Sequence, residues 1–344
     1  MYRPVPMDWS KAHRRRPLQV SHGGPGTMNE QRSGWIRRVQ IPFWNQTEQR
    51  PRALWRVLGA LVVALAVPSM LGIVALHPLD LPMAIVQLVS NGIAVLVAIV
   101  VVVVWARYVD RRKIRAYGFR LDRHWWFMLG LAASITLLGW GGALATDVTL
   151  GWASITAFVS PGAGEISFWP SFVAFALAWV FVGVWEEVIF RGIVMRNAIE
   201  GLNGTWLSYR GALVGGWVVS SVLFGVLHFG QAGSPLALVF WIVAGLVLGL
   251  AYLLTDQLAV PIGLHFAFDF GVNNVFGLAS VREAGSDVPT IVRPEFTGPD
   301  VFVGIAGAVN TVWLLVIGVL TVAVIGWQYG SLRPRIDPYT WTEN

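Results

Sequence analysis

Long apolar stretches alternate with short polar connections from residue 53 onward. The apolar stretches are about 20 residues long or longer, which is the length that an α-helix needs to cross the hydrocarbon core of a bilayer. They lie at about 53–76, 83–106, 125–146, 168–190, 211–229, 235–254, 258–279 and 301–327. The pattern therefore predicts an all-α fold, a polytopic membrane bundle of about eight transmembrane helices.

Polar segments flank this bundle. Residues 1–52 are polar and basic, and their composition predicts a disordered arm. The bundle is predicted to occupy residues 53–328, and residues 329–344 form a polar tail. No separate soluble domain is indicated.

The distribution of positive charge predicts the orientation. Ten Lys and Arg residues precede or include Arg52, and seven lie in the connection 107–124, whereas the connections 77–82, 147–167 and 230–234 carry none. Because cytoplasmic loops are enriched in Lys and Arg, both termini are predicted to be cytoplasmic. Topology therefore explains the isoelectric point near 10. We expect the lipid bilayer, and no nucleic acid, as a partner.

The composition narrows the chemistry. The chain has 344 residues, of which 55% are hydrophobic and 13% are charged, and it contains no cysteine. Thiol catalysis, thiolate metal ligands and disulfide bonds are therefore excluded.

Within or next to the apolar stretches from residue 168 onward, six ionisable side chains stand out. Each charge costs about 2.5–3.5 kcal/mol at the centre of a transmembrane helix, so such residues persist where they pair, line a wet cavity or carry out chemistry. They are Glu186, Glu187, Arg191, His228, His265 and Asp269.

Helical spacing assigns different roles to the two glutamates. Glu187 and Arg191 are four residues apart, so they share a helix face and can form an ion pair. Glu186 points about 100° away from Glu187. We therefore expect Arg191 to orient Glu187, and Glu186 to act at the reacting centre.

The two histidines follow a similar spacing. His265 and Asp269 are four residues apart, as are Phe224 and His228. Two ligand-type side chains at this spacing can reach one metal ion or one water molecule. Alternatively, Asp269 could bind one nitrogen of His265 and fix its tautomer.

Depth in the membrane gives a further expectation. If the fourth helix continues to about Glu200, then Glu186 and His228 lie at similar distances from the turn near Thr205, about 28 and 34 Å along their helices. A helix that ended at Phe190 would put them on opposite membrane faces. The spacing therefore predicts one long helix through Glu200.

Three signatures stand in order along residues 168–280. They are E-E-x-x-x-R at Glu186–Arg191, F-x-x-x-H at Phe224–His228 and H-x-x-x-D at His265–Asp269. Together they resemble the CPBP family, which groups the type II CAAX prenyl endopeptidases with bacterial relatives linked to bacteriocin processing or immunity. The resemblance makes 168–280 the catalytic core of the bundle.

The resemblance implies an intramembrane endopeptidase that acts on a membrane-associated or prenylated, CAAX-like peptide. By matching positions, Glu186 and His228 would activate the attacking water, and Glu187 and Arg191 would support them. His265 and Asp269 would stabilise the oxyanion or help to hold a metal. The family has been described both as metalloproteases and as glutamate-dependent proteases. If a metal such as zinc is required, His228, His265, Asp269 and Glu186 would be its ligands.

Asp269 departs from the family pattern, which often has Asn at this position. The substitution favours metal coordination over a neutral oxyanion donor. Two other function classes stay open: a catalytically silent scaffold or immunity protein of the same fold, and a transporter. Transporters often contain paired inverted repeats, and the first three spans carry no matching charged signature.

Overall fold

The computed structural model describes residues 42–162, 166–204, 206–229, 235–279 and 288–336. Most of the predicted N-terminal arm (1–41) and the end of the predicted tail (337–344) lie outside these residues. The described end of the arm is structured, because β1 (Trp44–Asn45) and β2 (Arg50–Pro51) form an antiparallel hairpin and Arg50 is fully buried. The predicted arm boundary at residue 52 therefore lies too far along the chain.

The bundle is built from nine described α-helices. They are α1 (Ala53–Ala75), α2 (Met83–Val104), α3 (Arg123–Thr149), α4 (Phe168–Glu187), α5 (Arg196–Leu202), α6 (Tyr209–Leu227), α7 (Pro235–Thr255), α8 (Ala259–Phe270) and α9 (Ala308–Tyr329). Short 3₁₀ segments occur at His77–Leu79 and Ile114–Tyr117.

Seven helical segments of the described chain are long and apolar enough to cross a membrane. This finding agrees with the predicted all-α membrane bundle and supports an integral membrane protein. The seventh predicted span, 258–279, is shorter than expected. It consists of the 12-residue α8 and a π-helical segment, Gly271–Val275. Buried side chains along most of α8 place it inside the bundle.

The predicted long helix through Glu200 is confirmed. A π-helical segment, Val188–Met195, joins α4 to α5, so that one continuous helical run extends from Phe168 to Leu202. π-Helical turns occur inside α-helices frequently at functional sites. Here the segment begins directly after Glu187.

The structure also contains a β-ribbon that the apolar pattern did not predict. β3 (Ala153–Ser160) follows α3 and pairs antiparallel with β4 (Thr290–Phe296), which precedes α9. We call the end of the bundle that carries this pair the ribbon face. The opposite end, which carries the connection 107–124, is the basic face.

A cluster of buried ion pairs holds the α5 end of the long helical run at the basic face. Glu200 pairs with Arg50, with Arg56 at 2.9 Å and with Arg112 at 2.8 Å. The nearby carboxylate of Asp110 accepts hydrogen bonds from Arg56, Tyr117 and Asn197. These contacts join β2, α1, the connection 107–124 and α5.

Two glycines bring α8 close to its neighbours. A Cβ atom on Gly183 of α4 would lie 3.1 Å from the backbone nitrogen of Phe266, and one on Gly263 of α8 would lie 2.3 Å from the carbonyl oxygen of Leu129. Such close backbone approach is typical of small residues at helix interfaces in membranes. Because Gly183 lies one turn before Glu187, it brings the two glutamates within reach of α8.

Candidate active site

The six predicted site residues lie together inside the bundle. Glu186 and Glu187 are on the last turn of α4, Arg191 is in the following π-helical segment, His228 ends α6, and His265 and Asp269 are on α8. All six are buried. Glu187 and Arg191 have no exposed surface, whereas 7% of Glu186 and 9% of His228 are exposed.

Glu187 is bound on two sides through one carboxylate oxygen. Its Oε1 accepts a hydrogen bond from Arg191 Nη1 at 2.8 Å and lies 2.7 Å from His265 Nδ1. Arg191 also donates through Nη2 to the Gly245 carbonyl at 3.2 Å, and its guanidinium lies 4.6 Å from the ring centroid of Phe224. The predicted ion pair between Glu187 and Arg191 is present.

Glu186 instead faces both imidazoles. Its Oε2 lies 3.5 Å from His228 Nε2 and 3.8 Å from His265 Nε2. This oxygen is buried and has no hydrogen-bond partner among the described residues. The two adjacent glutamates therefore differ in surroundings: one neutralises a buried guanidinium, and the other has a free oxygen between two imidazoles.

His228 is oriented by its own helix and by aromatic rings. Its Nδ1 lies 2.8 Å from the Phe224 carbonyl oxygen, which can only accept a hydrogen bond. Nδ1 therefore carries a proton, and in the neutral ring Nε2 keeps its lone pair towards Glu186. Phe224 stacks on the imidazole with centroids 4.2 Å apart, and the Trp241 ring lies 4.9 Å from it.

His265 is oriented differently from one of the sequence-based expectations. We considered that Asp269 would hold one nitrogen of His265, but its Oδ2 lies 3.5 Å from Nε2, and the close hydrogen bond is made by Glu187 to Nδ1. The physical reason is the close approach of α4 and α8 at Gly183, which places the longer Glu187 side chain against the ring. Asp269 Oδ2 is buried and makes no hydrogen bond within the described structure.

A cavity of about 390 Å³ borders Glu186, His228, His265 and Asp269. Its walls include polar and aromatic residues that the sequence reasoning did not select: Gln87, Asn91, Trp179, Trp185, Trp241 and Asn273. Helical spacing could have identified some of them. Asn273 continues the row of His265 and Asp269 at intervals of four, and Gln87 and Asn91 are four apart within an apolar span. No spacing signal marks Trp241.

The donor types suit zinc, since imidazole nitrogens and carboxylate oxygens are usual zinc ligands. Within the described part of the chain, however, no group of three or more His, Asp or Glu side chains is arranged to hold a metal ion. The nearest nitrogen and oxygen atoms of His228, His265, Asp269 and Glu186 lie 3.5–3.8 Å apart in pairs. We derive no step through a metal.

Comparison with known proteins agrees with the three signatures. Residues 168–271 match the family model described as "Type II CAAX prenyl endopeptidase Rce1-like". The match confirms the resemblance drawn from the sequence and covers the helices that carry the six residues. No curated protein and no solved structure matches the chain.

Proposed function

We propose that this protein is an intramembrane endopeptidase that hydrolyses a peptide bond of a membrane-associated or prenylated, CAAX-like substrate. The observation that carries the proposal is the position of Glu186. Its Oε2, which has no hydrogen-bond partner in the described part of the chain, lies 3.5 and 3.8 Å from two imidazole nitrogens. It borders a cavity large enough for several water molecules. The family match over residues 168–271 supports the same reaction class.

In the proposed reaction, Glu186 is the general base. It accepts a proton from a water molecule while the water oxygen bonds to the carbonyl carbon of the scissile peptide bond. His228 Nε2, with its lone pair towards Glu186, accepts a hydrogen bond from the same water and fixes its position. When the tetrahedral intermediate collapses, the carbon–nitrogen bond breaks, and protonated Glu186 returns the proton to the leaving amine.

His265 is the proposed donor to the oxyanion. Donation through Nε2 requires protons on both ring nitrogens, because Nδ1 already faces Glu187. Glu187 at Nδ1 and Asp269 near Nε2 supply the counter-charges that such an imidazolium needs. A preorganised donor aimed at developing negative charge is often the largest single contribution to catalysis. Arg191 in turn holds Glu187 in place.

A cleavage assay with purified protein tests the proposal. Two labelled peptides are offered in proteoliposomes, one with a prenylated CAAX-like end and one unmodified transmembrane peptide. Glu186→Gln and His228→Ala should abolish cleavage, whereas Glu295→Gln, an exposed carboxylate on β4, should cleave normally. Cleavage that survives Glu186→Gln would refute the assignment. A folded wild-type protein that cleaves neither peptide would favour a silent scaffold, and ion flux would favour a transporter.

We further propose that both termini are cytoplasmic, because the connection 107–124 and the segments before α1 and after α9 share the Lys- and Arg-rich end of the bundle. The expected partners are a peptide or protein substrate in the membrane and the surrounding lipid. Nucleic acid is not an expected partner.

A further inference from the structure

We propose that the catalytic cavity opens on the extracytoplasmic side of the membrane, so that the substrate presents its scissile bond from that side. The inference rests on the proposed function for the reaction itself. Its own grounds are the direction of the cavity within the bundle and the distribution of charge between the two faces. It predicts a translocated peptide, or the extracytoplasmic part of a membrane-anchored one, as the substrate. Of the two peptides in the cleavage assay, it therefore selects the unmodified transmembrane peptide.

The cavity extends from the catalytic groups towards the ribbon face. On α4 the cavity is lined by Trp179, Val182, Trp185 and Glu186. The first three lie between Glu186 and the start of the helix, which is at the ribbon face. The lining on α8 and the following π-helical segment likewise begins at His265 and runs on to Asn273.

The other walls continue in the same direction. Gln87 and Asn91 belong to the first half of α2, which starts at the ribbon face, and Ala279 and Ile305 lie in the connection that contains β4. Hydrogen bonds connect the rim of the cavity to the ribbon. Asn274 donates a hydrogen bond to the Pro289 carbonyl at 2.8 Å, directly before β4, and accepts one from Trp179 Nε1 at 2.7 Å.

The opposite end of the cavity is closed. Directly beyond Glu186, towards the basic face, Glu187 and Arg191 are fully buried and bound to each other. The next turn adds Ile193, Val194 and Met195, none of which has exposed surface. The catalytic groups therefore form the floor of the cavity on the side of the basic face. This floor is deep, because Glu186 lies 18 residues, or about 27 Å of helix, from the start of α4.

Charge identifies the closed side as cytoplasmic. Seven Lys and Arg residues lie in the connection 107–124, and Arg52, Arg210, Arg333 and Arg335 lie at the same end of the bundle. Within the described residues, the ribbon face carries Arg293 together with Glu295 and Asp300. The short-loop bias in Lys and Arg orients membrane proteins with the basic side in the cytoplasm. The open end of the cavity then faces away from the cytoplasm.

The absence of native cysteine allows a direct test. Single-cysteine variants of the full chain are expressed in cells and treated with a membrane-impermeant maleimide before or after permeabilisation. Gln87→Cys reports the cavity wall, Ser154→Cys the exposed ribbon and Arg115→Cys the basic face. Val89→Cys is the matched control, because it lies on the same helix as Gln87 but on the outer surface of the bundle.

We expect Ser154→Cys and Gln87→Cys to be labelled in intact cells, Arg115→Cys only after permeabilisation, and Val89→Cys in neither case. Labelling of Arg115→Cys but not Ser154→Cys in intact cells would overturn the proposed orientation. Labelling of Gln87→Cys from the Arg115 side, or by a membrane-permeant reagent alone, would overturn the proposed opening. Because labelling requires no catalysis, these outcomes are independent of whether Glu186 proves to be the base.

Discussion

Replacing Glu187 and Glu186 separately by glutamine should change the stability of the protein very differently, although the residues are adjacent in sequence. Glu187→Gln leaves Arg191 as a fully buried guanidinium whose ion-pair partner at 2.8 Å has lost its charge. Removing one partner of a buried ion pair typically costs about 3–5 kcal/mol. Glutamine can still accept the hydrogen bond from His265 through Oε1, but it supplies no counter-charge to the imidazolium. We therefore expect a large loss of stability together with reduced cleavage.

Glu186→Gln makes a contrasting change. Glu186 Oε2 has no hydrogen-bond partner among the described residues. It lies 3.5 Å from His228 Nε2 and 3.8 Å from His265 Nε2. Converting it to an amide removes the proposed base without exposing an opposite buried charge. We therefore expect near-complete loss of cleavage with an unchanged melting temperature.

The assay is thermal unfolding in detergent, followed by cleavage at a temperature where all variants are folded. If each kcal/mol corresponds to about 2–4 °C, Glu187→Gln should melt on the order of 10 °C below the wild type. The double variant Glu187→Gln/Arg191→Met should recover most of this loss, since apolar replacement of both partners is often neutral. The reasoning would be refuted if Glu187→Gln melted like the wild type while Glu186→Gln was the destabilised variant.

Three further predictions follow from the site and its surroundings. Phe224→Leu removes the ring stacked 4.2 Å from His228. Because an aromatic pair contributes about 0.5–1.5 kcal/mol, the change should lower kcat about three- to tenfold with little change in KM. Equal effects on kcat and KM would contradict a positioning role. Chelators should leave cleavage unchanged if the glutamate–histidine reaction is correct, whereas loss of activity that zinc restores would establish metal dependence. Burial, together with the nearby charge of Asp110, raises the pKa of Tyr117 above its ordinary value. The unfolded chain therefore loses this proton first, and the stability of the fold should decrease as the pH rises above about 10. In a pH series of melting temperatures, Tyr117→Phe should remove this part of the decrease.

The fold was largely predictable because membrane-spanning helices have a strong and simple signal. Seven of the eight expected spans correspond to described helices that are long enough to cross. The exception, α8, is apolar for a different reason, since it is surrounded by protein. The β-ribbon was missed because β3 and β4 are separated by more than 120 residues, and their pairing leaves no local pattern.

The candidate site was predictable as a set of residues but not as a set of contacts. The cost of charge in an apolar span selects all six site residues with no structural information. Which carboxylate holds His265 depends on helix separation, and this is set by a single missing Cβ at Gly183. The walls of the cavity were missed because Trp185 and Trp241 are ordinary residues for an apolar helix.

The ion pairs that Arg50, Arg56 and Arg112 form with Glu200 limit how the bundle can open to admit a polypeptide. Sliding the long helical run by one turn would move Glu200 by about 5.4 Å and break every one of these ion pairs, so the glutamates at its centre stay fixed. The wall supplied by α2 is less constrained. Only 22% of its most apolar 18 residues are buried, compared with 50% for the run that carries the glutamates. Entry of a bulky chain therefore depends on how far α2 can move outward, while the catalytic atoms on the long helical run stay in position.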